Sequence, residues 1–117
     1  VFVPSQGTTI NGSIPYASET ELLSENLGVT GTQDVDWSFD IFRYVLTASC
    51  TFSDVNLPQV GGKKITIYLS GNFTPTFPSG WNSNTKGSYV STVLNKIEIQ
   101  YVKATTPFWV VRITQSD

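Results

Sequence analysis

Three aspartates lie close together in the stretch DVDWSFD at 34–40. Carboxylates at such spacing can form the acid–base pair of a glycosidase or help to bind a calcium ion. Acid–base catalysis requires that burial or repulsion separate the two pKa values, and calcium requires several converging oxygens. Here the aspartates alternate with apolar residues, as on the hydrated face of a β-strand. We therefore predict solvated carboxylates, with a calcium site and a glycosidase pair as the alternatives.

Other residues that carry chemistry are few. Asp54 precedes a turn-like Val-Asn pair, where aspartate commonly bonds its own backbone. Histidine is absent, which removes Ser–His and Cys–His catalysis and the commonest metal ligand. Cys50, the single cysteine, is predicted to be a small core residue because it lacks a base. We predict no catalytic residue, no metal site, no cofactor and no enzyme activity.

Composition narrows the classes of partner. Charged residues make up 14% of the chain, the net charge is -2, and Lys63-Lys64 is the densest cationic spot, so no nucleic-acid binding is expected. No apolar run is long enough to cross a bilayer, and no membrane insertion is expected. The 117 residues suffice for one domain with a real core. Methionine is absent, also at position 1, which indicates a fragment, a processed product or a domain of a longer protein.

A two-residue period runs through most of the chain after Gly31. It is clearest in KKITIYLSG at 63–71 and in VLNKIEIQYV at 93–102, where alternate residues are mostly apolar. Polar segments with Gly and Pro separate such runs at intervals typical of antiparallel β-proteins. The pattern predicts an all-β fold, either an antiparallel β-sandwich or a jelly roll, of about seven or eight strands.

The N-terminal region has a different pattern. Residues 1–15 are rich in Gly, Pro, Ser and Thr and are predicted to be an arm or linker. Residues 16–28 carry a capping box at Ser18 and Glu21, three leucines and a glycine terminator, so one short helix is predicted there. We expect a β-sandwich domain over residues 16–117 that begins with this helix.

The order of these segments resembles a domain of bacteriophage tail-fibre and other virion-appendage proteins. The resemblance extends over residues 32–114. The segments that carry it are TQDVDWS at 32–38, TASCTF at 47–52, LPQVGGKKITIYL at 57–69, TPTFPSGW at 74–81, NKIEIQYV at 95–102 and PFWVVRI at 107–113. The upstream YASETELLSEN at 16–26 also resembles short segments that link repeats in tail fibres.

This resemblance implies a β-sandwich that forms a homotrimer about a fibre axis and contacts other virion proteins. It implies a location on the surface of the phage particle, in a tail or capsid fibre. The implied function is structural and non-enzymatic, with attachment to a host cell-surface glycan as an additional role. Trimeric presentation would raise avidity without a deep pocket. The resemblance supplies no catalytic residue.

The loop at 78–90 is the best candidate for ligand binding, because loops on a rigid scaffold commonly carry recognition. Its aromatic rings can stack on a sugar, and its short polar groups can bond sugar hydroxyls. The candidate ligand-binding residues are Trp81, Asn82, Asn84, Lys86 and Tyr89. For Trp81 the alternative is a plug that closes the open end of the sandwich.

Oligomer contacts are expected from apolar residues that a single protomer does not obviously bury. A two-turn helix needs a docking partner, and the last strand is apolar on both faces. The candidate interface residues are Leu22, Leu23, Trp109 and Val111. The alternative function is a carbohydrate-binding module of a larger secreted enzyme, which should display a row of exposed aromatic rings.

Overall fold

The computed structural model describes residues 21–115, which form seven strands and one short 3₁₀ helix. The elements are β1 (Leu23–Asp36), β2 (Ile41–Val55), β3 (Gly62–Ser70), β4 (Pro75–Thr76), the 3₁₀ helix (Ser79–Asn82), β5 (Thr85–Lys86), β6 (Asn95–Val102) and β7 (Phe108–Gln115). All strands belong to one mixed sheet of order β1-β2-β3-β6-β7-β5, with β4 beside β2. The predicted all-β class is confirmed. This part of the chain contains no helix long and apolar enough to span a bilayer.

The predicted helix at 16–28 is wrong where it can be compared with the structure. Residues 23–28 belong to β1, and Leu23 to Asn26 pair with Ile41 to Tyr44 of β2. A two-turn helix is marginal by itself, whereas the ladder gives the same backbone groups partners on a neighbouring strand. Residues 16–20 and the predicted arm at 1–15 lie outside the described residues.

The first two strands run parallel although only residues 37–40 join them. Each paired residue of β1 lies beside a residue of β2 that is 17 to 19 positions further on. A straight strand of 14 residues would be about 46 Å long, whereas residues 37–40 reach across at most about 18 Å. β1 must therefore bend so that its end returns towards its start. β1 and β2 are successive coils of a short β-solenoid.

The third coil consists of β3 and β4, which both run parallel to β2. Their residues lie 25 positions beyond their β2 partners. Gly71, between the two strands, has φ of 124° and lies so close to Leu46 that a Cβ would collide with the Leu46 carbonyl oxygen. On the first coil, the bend coincides with shifts of register between Asn26 and Gly31. Gly31 has a φ of 67°. Glycines thus allow the corners to stack.

Antiparallel pairing, predicted throughout, occurs only between β3, β6 and β7 among the described strands. Ile65 faces Ile99 and Ile67 faces Ile97, so the alternating residues of the two strands meet on one buried face. The two-residue period specified this face correctly. It could not specify strand direction, because side chains alternate in the same way in parallel and antiparallel strands.

The core lies inside the coils and beneath the antiparallel strands. Trp37 and Cys50 are both buried, as predicted, and burial raises the pKa of the Cys50 thiol. Stacked and tilted aromatic pairs connect Phe42, Tyr44 and Phe52 across this interior. The other buried apolar residues are Val29, Val35, Leu46, Ile65, Ile67, Leu69, Trp81, Ile97, Ile99, Tyr101, Val111 and Ile113.

Two of the predicted interface residues pack within the protomer, which corrects that assignment. Val111 is buried, and the Trp109 ring lies 4.9 Å from that of Tyr101 between ring centroids. The Trp109 ring also covers Gly80 so closely that a Cβ there would be 2.6 Å from Cζ3. β7 therefore uses the face of Trp109 and Val111 for the core and exposes the opposite face.

Candidate functional site

Asp36 stabilises the tight connection between β1 and β2. Its Oδ1 accepts hydrogen bonds from the Ser38 hydroxyl at 2.7 Å, from the Ser38 backbone N–H at 2.9 Å and from Asn56 Nδ2 at 3.1 Å. These bonds, above all that from the Ser38 hydroxyl, lower the pKa of Asp36. The carboxylate therefore closes a side-chain turn around residues 36–38.

Asp40 stabilises the same connection at the end that leads into β2. Its Oδ2 accepts the backbone N–H of Leu22 at 2.9 Å, and its Oδ1 lies 3.2 Å from Lys63 Nζ. The bond from Leu22 is the main cause that lowers the pKa of Asp40. Asp36 and Asp40 are thus both held ionised, whereas a glycosidase general acid needs a raised pKa. Within residues 21–115 no three His, Cys, Asp or Glu side chains are grouped to hold a metal ion.

Asp54 has a different environment from the one predicted. It does not bond its own turn but accepts hydrogen bonds from two indoles, Trp37 Nε1 at 2.8 Å and Trp81 Nε1 at 3.1 Å. Burial raises the pKa of Asp54, and the two indole bonds oppose that shift. We call Asp54, Trp37 and Trp81 the indole clamp. It ties the end of β2 to the first corner and to the 3₁₀ helix.

Trp81 is therefore a plug and not an open stacking surface. Its side chain is 1% exposed, and its ring stacks on Phe77 at 5.4 Å between centroids. The 3₁₀ helix places the ring there, and the backbone N–H of Trp81 donates to the carbonyl oxygen of Pro78 at 3.0 Å. No face of the indole is open to a ligand, so Trp81 leaves the candidate set.

A groove of about 360 Å³ lies beside this plug, between residues 73–77 of the third coil and the segment 82–91 that follows the 3₁₀ helix. Its eleven lining residues include aromatic rings, hydroxyls and one side-chain amide, and none carries a formal charge. We call it the corner groove and define it by Phe73, Phe77, Asn82, Ser88, Tyr89 and Ser91.

Two glycines position the walls of the corner groove. Gly71, in the third coil, packs against Leu46 of the second coil and precedes the wall that carries Phe73. Gly87, with φ of 88°, packs so closely on the carbonyl oxygen of Ile113 that a Cβ would collide with it. The Tyr89 hydroxyl crosses the gap and donates to the carbonyl oxygen of Gly71. The two walls are therefore fastened to rigid strands and to each other.

Comparisons with known proteins give no relative of this chain. No protein-family model, no curated protein and no solved structure matches it.

The structure brings only part of the predicted ligand set together in the corner groove, namely Asn82 and Tyr89. Asn84 lies outside, and its Nδ2 donates to the carbonyl oxygen of Trp109 at 3.3 Å. Lys86 lines an adjoining depression with Arg112, which shares Gly87 and Ile113 with the corner groove. The predicted ligand-binding loop therefore contains one wall of the groove. The prediction was too broad near β5, because Asn84 and Lys86 do not line the groove.

The opposite wall was missed by sequence reasoning. Phe73 and Phe77 come from the segment around β4, and neither was among the candidate ligand-binding residues. Phe77 stacks between Phe52, at 5.8 Å, and Trp81. Phe77, flanked by Pro-Thr and Pro-Ser, was a signal for a fixed ring near a turn, but the distance of this ring from the 78–90 loop depends on the coil stacking.

Proposed function

We propose that this chain is a structural, non-enzymatic domain of a phage virion appendage, that it assembles as a homotrimer and that it contributes to host attachment. The observation that carries the proposal is the exposed leucine cluster at the start of β1. Leu22, Leu23 and Leu27 are 53%, 55% and 51% exposed within one short segment. Several exposed apolar side chains along one edge strand mark a candidate surface for association.

The position of the cluster supports assembly along the coil stack. β1 is the outermost strand of the sheet, and within residues 21–115 it pairs with β2 alone. A cyclic homo-oligomer would bury the same patch in every subunit. The ordered segments that resemble virion-appendage domains favour a trimer among such assemblies.

Sedimentation of the full chain at micromolar concentration tests this proposal. We expect about three times the mass of the 12.9 kDa chain. Leu23→Glu and Leu27→Glu should shift the protein to monomer, because a buried unpaired charge is costly at an apolar contact. Val60→Glu is the matched control, since Val60 is 83% exposed and lies in the loop between β2 and β3. A monomeric full chain would refute the assembly part.

A carbohydrate-binding module of a larger secreted enzyme is the second candidate, and the corner groove favours it. Such modules should present several exposed aromatic rings on one face. Among the large apolar residues of 21–115 that are most exposed, Phe73 and Phe108 are the aromatic ones, each 40% exposed. Phe73 lies in the groove, whereas Phe108 lies on β7. A monomer that binds glycan would favour the module over the appendage domain.

A further inference from the structure

We infer that the corner groove is a binding site for an uncharged saccharide unit. The inference deepens the attachment role and rests on that part of the proposed function. The groove volume of about 360 Å³ is at the small end of the range of ligand pockets, about 300–1,000 Å³. A site of this size fits a mono- or disaccharide unit of a longer chain rather than a folded partner.

Two of the three aromatic rings in the groove are fixed before any ligand arrives. Phe77 is stacked between Phe52 and Trp81 and therefore presents its edge, and the Tyr89 ring is held by the bond of its hydroxyl to Gly71. Phe73 is 40% exposed and is the ring that remains for stacking on a sugar. Rigid rings bind at a low entropic cost, and the C–H face of a sugar is the apolar surface that such rings cover.

The polar groups of the groove retain unused hydrogen-bonding capacity. The side chains of Asn82, Ser88 and Ser91 line the groove and make no hydrogen bond to another residue in the part of the chain that the structure describes. An amide and two hydroxyls offer both donors and acceptors. That mixture matches sugar hydroxyls, which also donate and accept.

Charge determines which saccharide fits. None of the eleven lining residues is an acid or a base with a formal charge at neutral pH. Burial raises the pKa of Tyr89, which keeps the phenol neutral. The cations Lys86 and Arg112 line an adjoining depression, which shares Gly87 and Ile113 with the groove, and neither cation lines the groove itself. A sialylated, sulfated or phosphorylated glycan would find no cationic partner inside the groove, whereas a neutral hexose or N-acetylhexosamine needs none.

Binding of the full chain to two glycan arrays tests the inference, one of neutral hexose and N-acetylhexosamine oligosaccharides and one of sialylated and sulfated oligosaccharides. We expect binding on the neutral array that changes less than about twofold between 50 and 500 mM salt, because exposed charge pairs would be screened over that range. Preference for the anionic array, or no binding on either, would overturn the inference.

Substitutions then locate the site by titration with the best neutral hit. Phe73→Ala should weaken binding by about tenfold, because a lost ring contact is worth about 1.4 kcal/mol. Phe108→Ala removes a ring of equal exposure elsewhere and should leave the affinity unchanged. Ser91→Ala should weaken binding with no change in thermal stability. Equal effects of Phe73→Ala and Phe108→Ala would overturn the assignment to the corner groove.

The oligomeric state separates this inference from the proposed function. A trimer that binds no neutral glycan would retain the assembly role and exclude the saccharide site. A monomer that binds through Phe73 would retain the site and exclude the trimeric appendage. Binding of a host protein without glycan, abolished by Phe73→Ala, would exclude the saccharide as the occupant.

Discussion

Replacement of Asp54 should destabilise the fold more than replacement of any surface aspartate, because its carboxylate is the acceptor for both indoles of the clamp. The Trp37 and Trp81 side chains are each 1% exposed, so in the folded chain both N–H groups depend on this carboxylate for a partner. A buried donor without a partner costs about 1–3 kcal/mol. Loss of the partner of both donors should therefore lower the free energy of unfolding of Asp54→Ala by about 2–4 kcal/mol. This is the lower part of the range for two unpaired donors, because Asp54 itself is only half-buried.

Asp54→Asn is the sharper variant, since it preserves the shape of the side chain. The amide oxygen can still accept both indoles at the Oδ1 position, which lies 2.8 Å from Trp37 Nε1 and 3.2 Å from Trp81 Nε1. The N–H₂ group, however, replaces the Oδ2 acceptor that lies 3.1 Å from Trp81 Nε1, and the bonds lose their charge, so a loss of about 1–2 kcal/mol is expected. Asp34→Asn is the matched control, because Asp34 is exposed on the neighbouring strand β1. It should change stability by less than about 0.5 kcal/mol.

Urea unfolding measures these losses, and a double-mutant cycle assigns them to the bonds. Trp81→Phe removes one indole donor but retains a ring in the plug. In the Asp54→Ala background that substitution should cost about 1–2 kcal/mol less than in the natural chain, because its donor is already unpaired there. Additive losses, or a loss for Asp54→Asn no larger than that of Asp34→Asn, would refute the indole clamp.

The pH dependence of the Asp54→Asn loss gives an independent test. The pKa of Asp54 is raised in the folded state by burial, so the folded protein holds the Asp54 proton more tightly than the unfolded chain does. Stability from this group is fully present below its unfolded pKa near 3.8 and declines as pH rises through the raised folded pKa. Because asparagine does not titrate, the difference in stability between the natural chain and Asp54→Asn should decrease as pH rises above 3.8. A difference that increases over this range would contradict the raised pKa.

Three further predictions follow from other parts of the sheet. Gly71→Ala should lower stability by about 1–3 kcal/mol in thermal or urea unfolding, because its φ of 124° and the Leu46 carbonyl exclude a Cβ, whereas Gly28→Ala, with open space around the Cβ, should be near neutral. Trp109→Phe should lower stability by about 1–2 kcal/mol, because it removes ring atoms that pack on Gly80, with no added loss from the buried Nε1, which has no hydrogen-bond partner among residues 21–115; a loss above about 3 kcal/mol in urea unfolding would contradict an unbonded indole. Asp36 and Asp40 have lowered pKa values when folded, so their stabilisation is present above pH 3.8 and is lost as pH falls through those lowered values. The double variant Asp36→Asn/Asp40→Asn should therefore flatten the acid limb of the stability profile, and an unchanged limb would contradict the corner hydrogen bonds.

The sequence predicted side-chain faces better than strand partners. The alternation in 63–71 and 93–102 identified the buried isoleucines, and it grouped Trp109 with Val111 on one face of the last strand. It did not reveal that this face covers Gly80 in the same protomer, because that contact depends on where the 3₁₀ helix returns. Similarly, the leucines and the capping box around residues 18–28 satisfy the local rules for a helix, but pairing with β2 is a tertiary effect that local rules omit.

One signal for the indole clamp was present in the sequence. Asp54 lies at an alternate position after Cys50 and Phe52 in β2, so its side chain is on the same face of the strand as these two buried residues. An acid on the inward face of a strand requires donors, and an indole is a donor without an acceptor. The identity of those donors was hidden, because Trp37 and Trp81 lie 17 and 27 residues away and meet only through the coils.

The parallel coils also give the domain a natural unit of growth. Neighbouring coils are spaced about 4.8 Å apart, and each is entered and left at the same side through a tight corner. Duplication of the segment from Leu23 to Asp40 would insert one more rung without altering the antiparallel strands at the far end. The length of such a molecule along its axis changes in fixed steps, so variants that differ in reach can share the same plug, groove and closing strands.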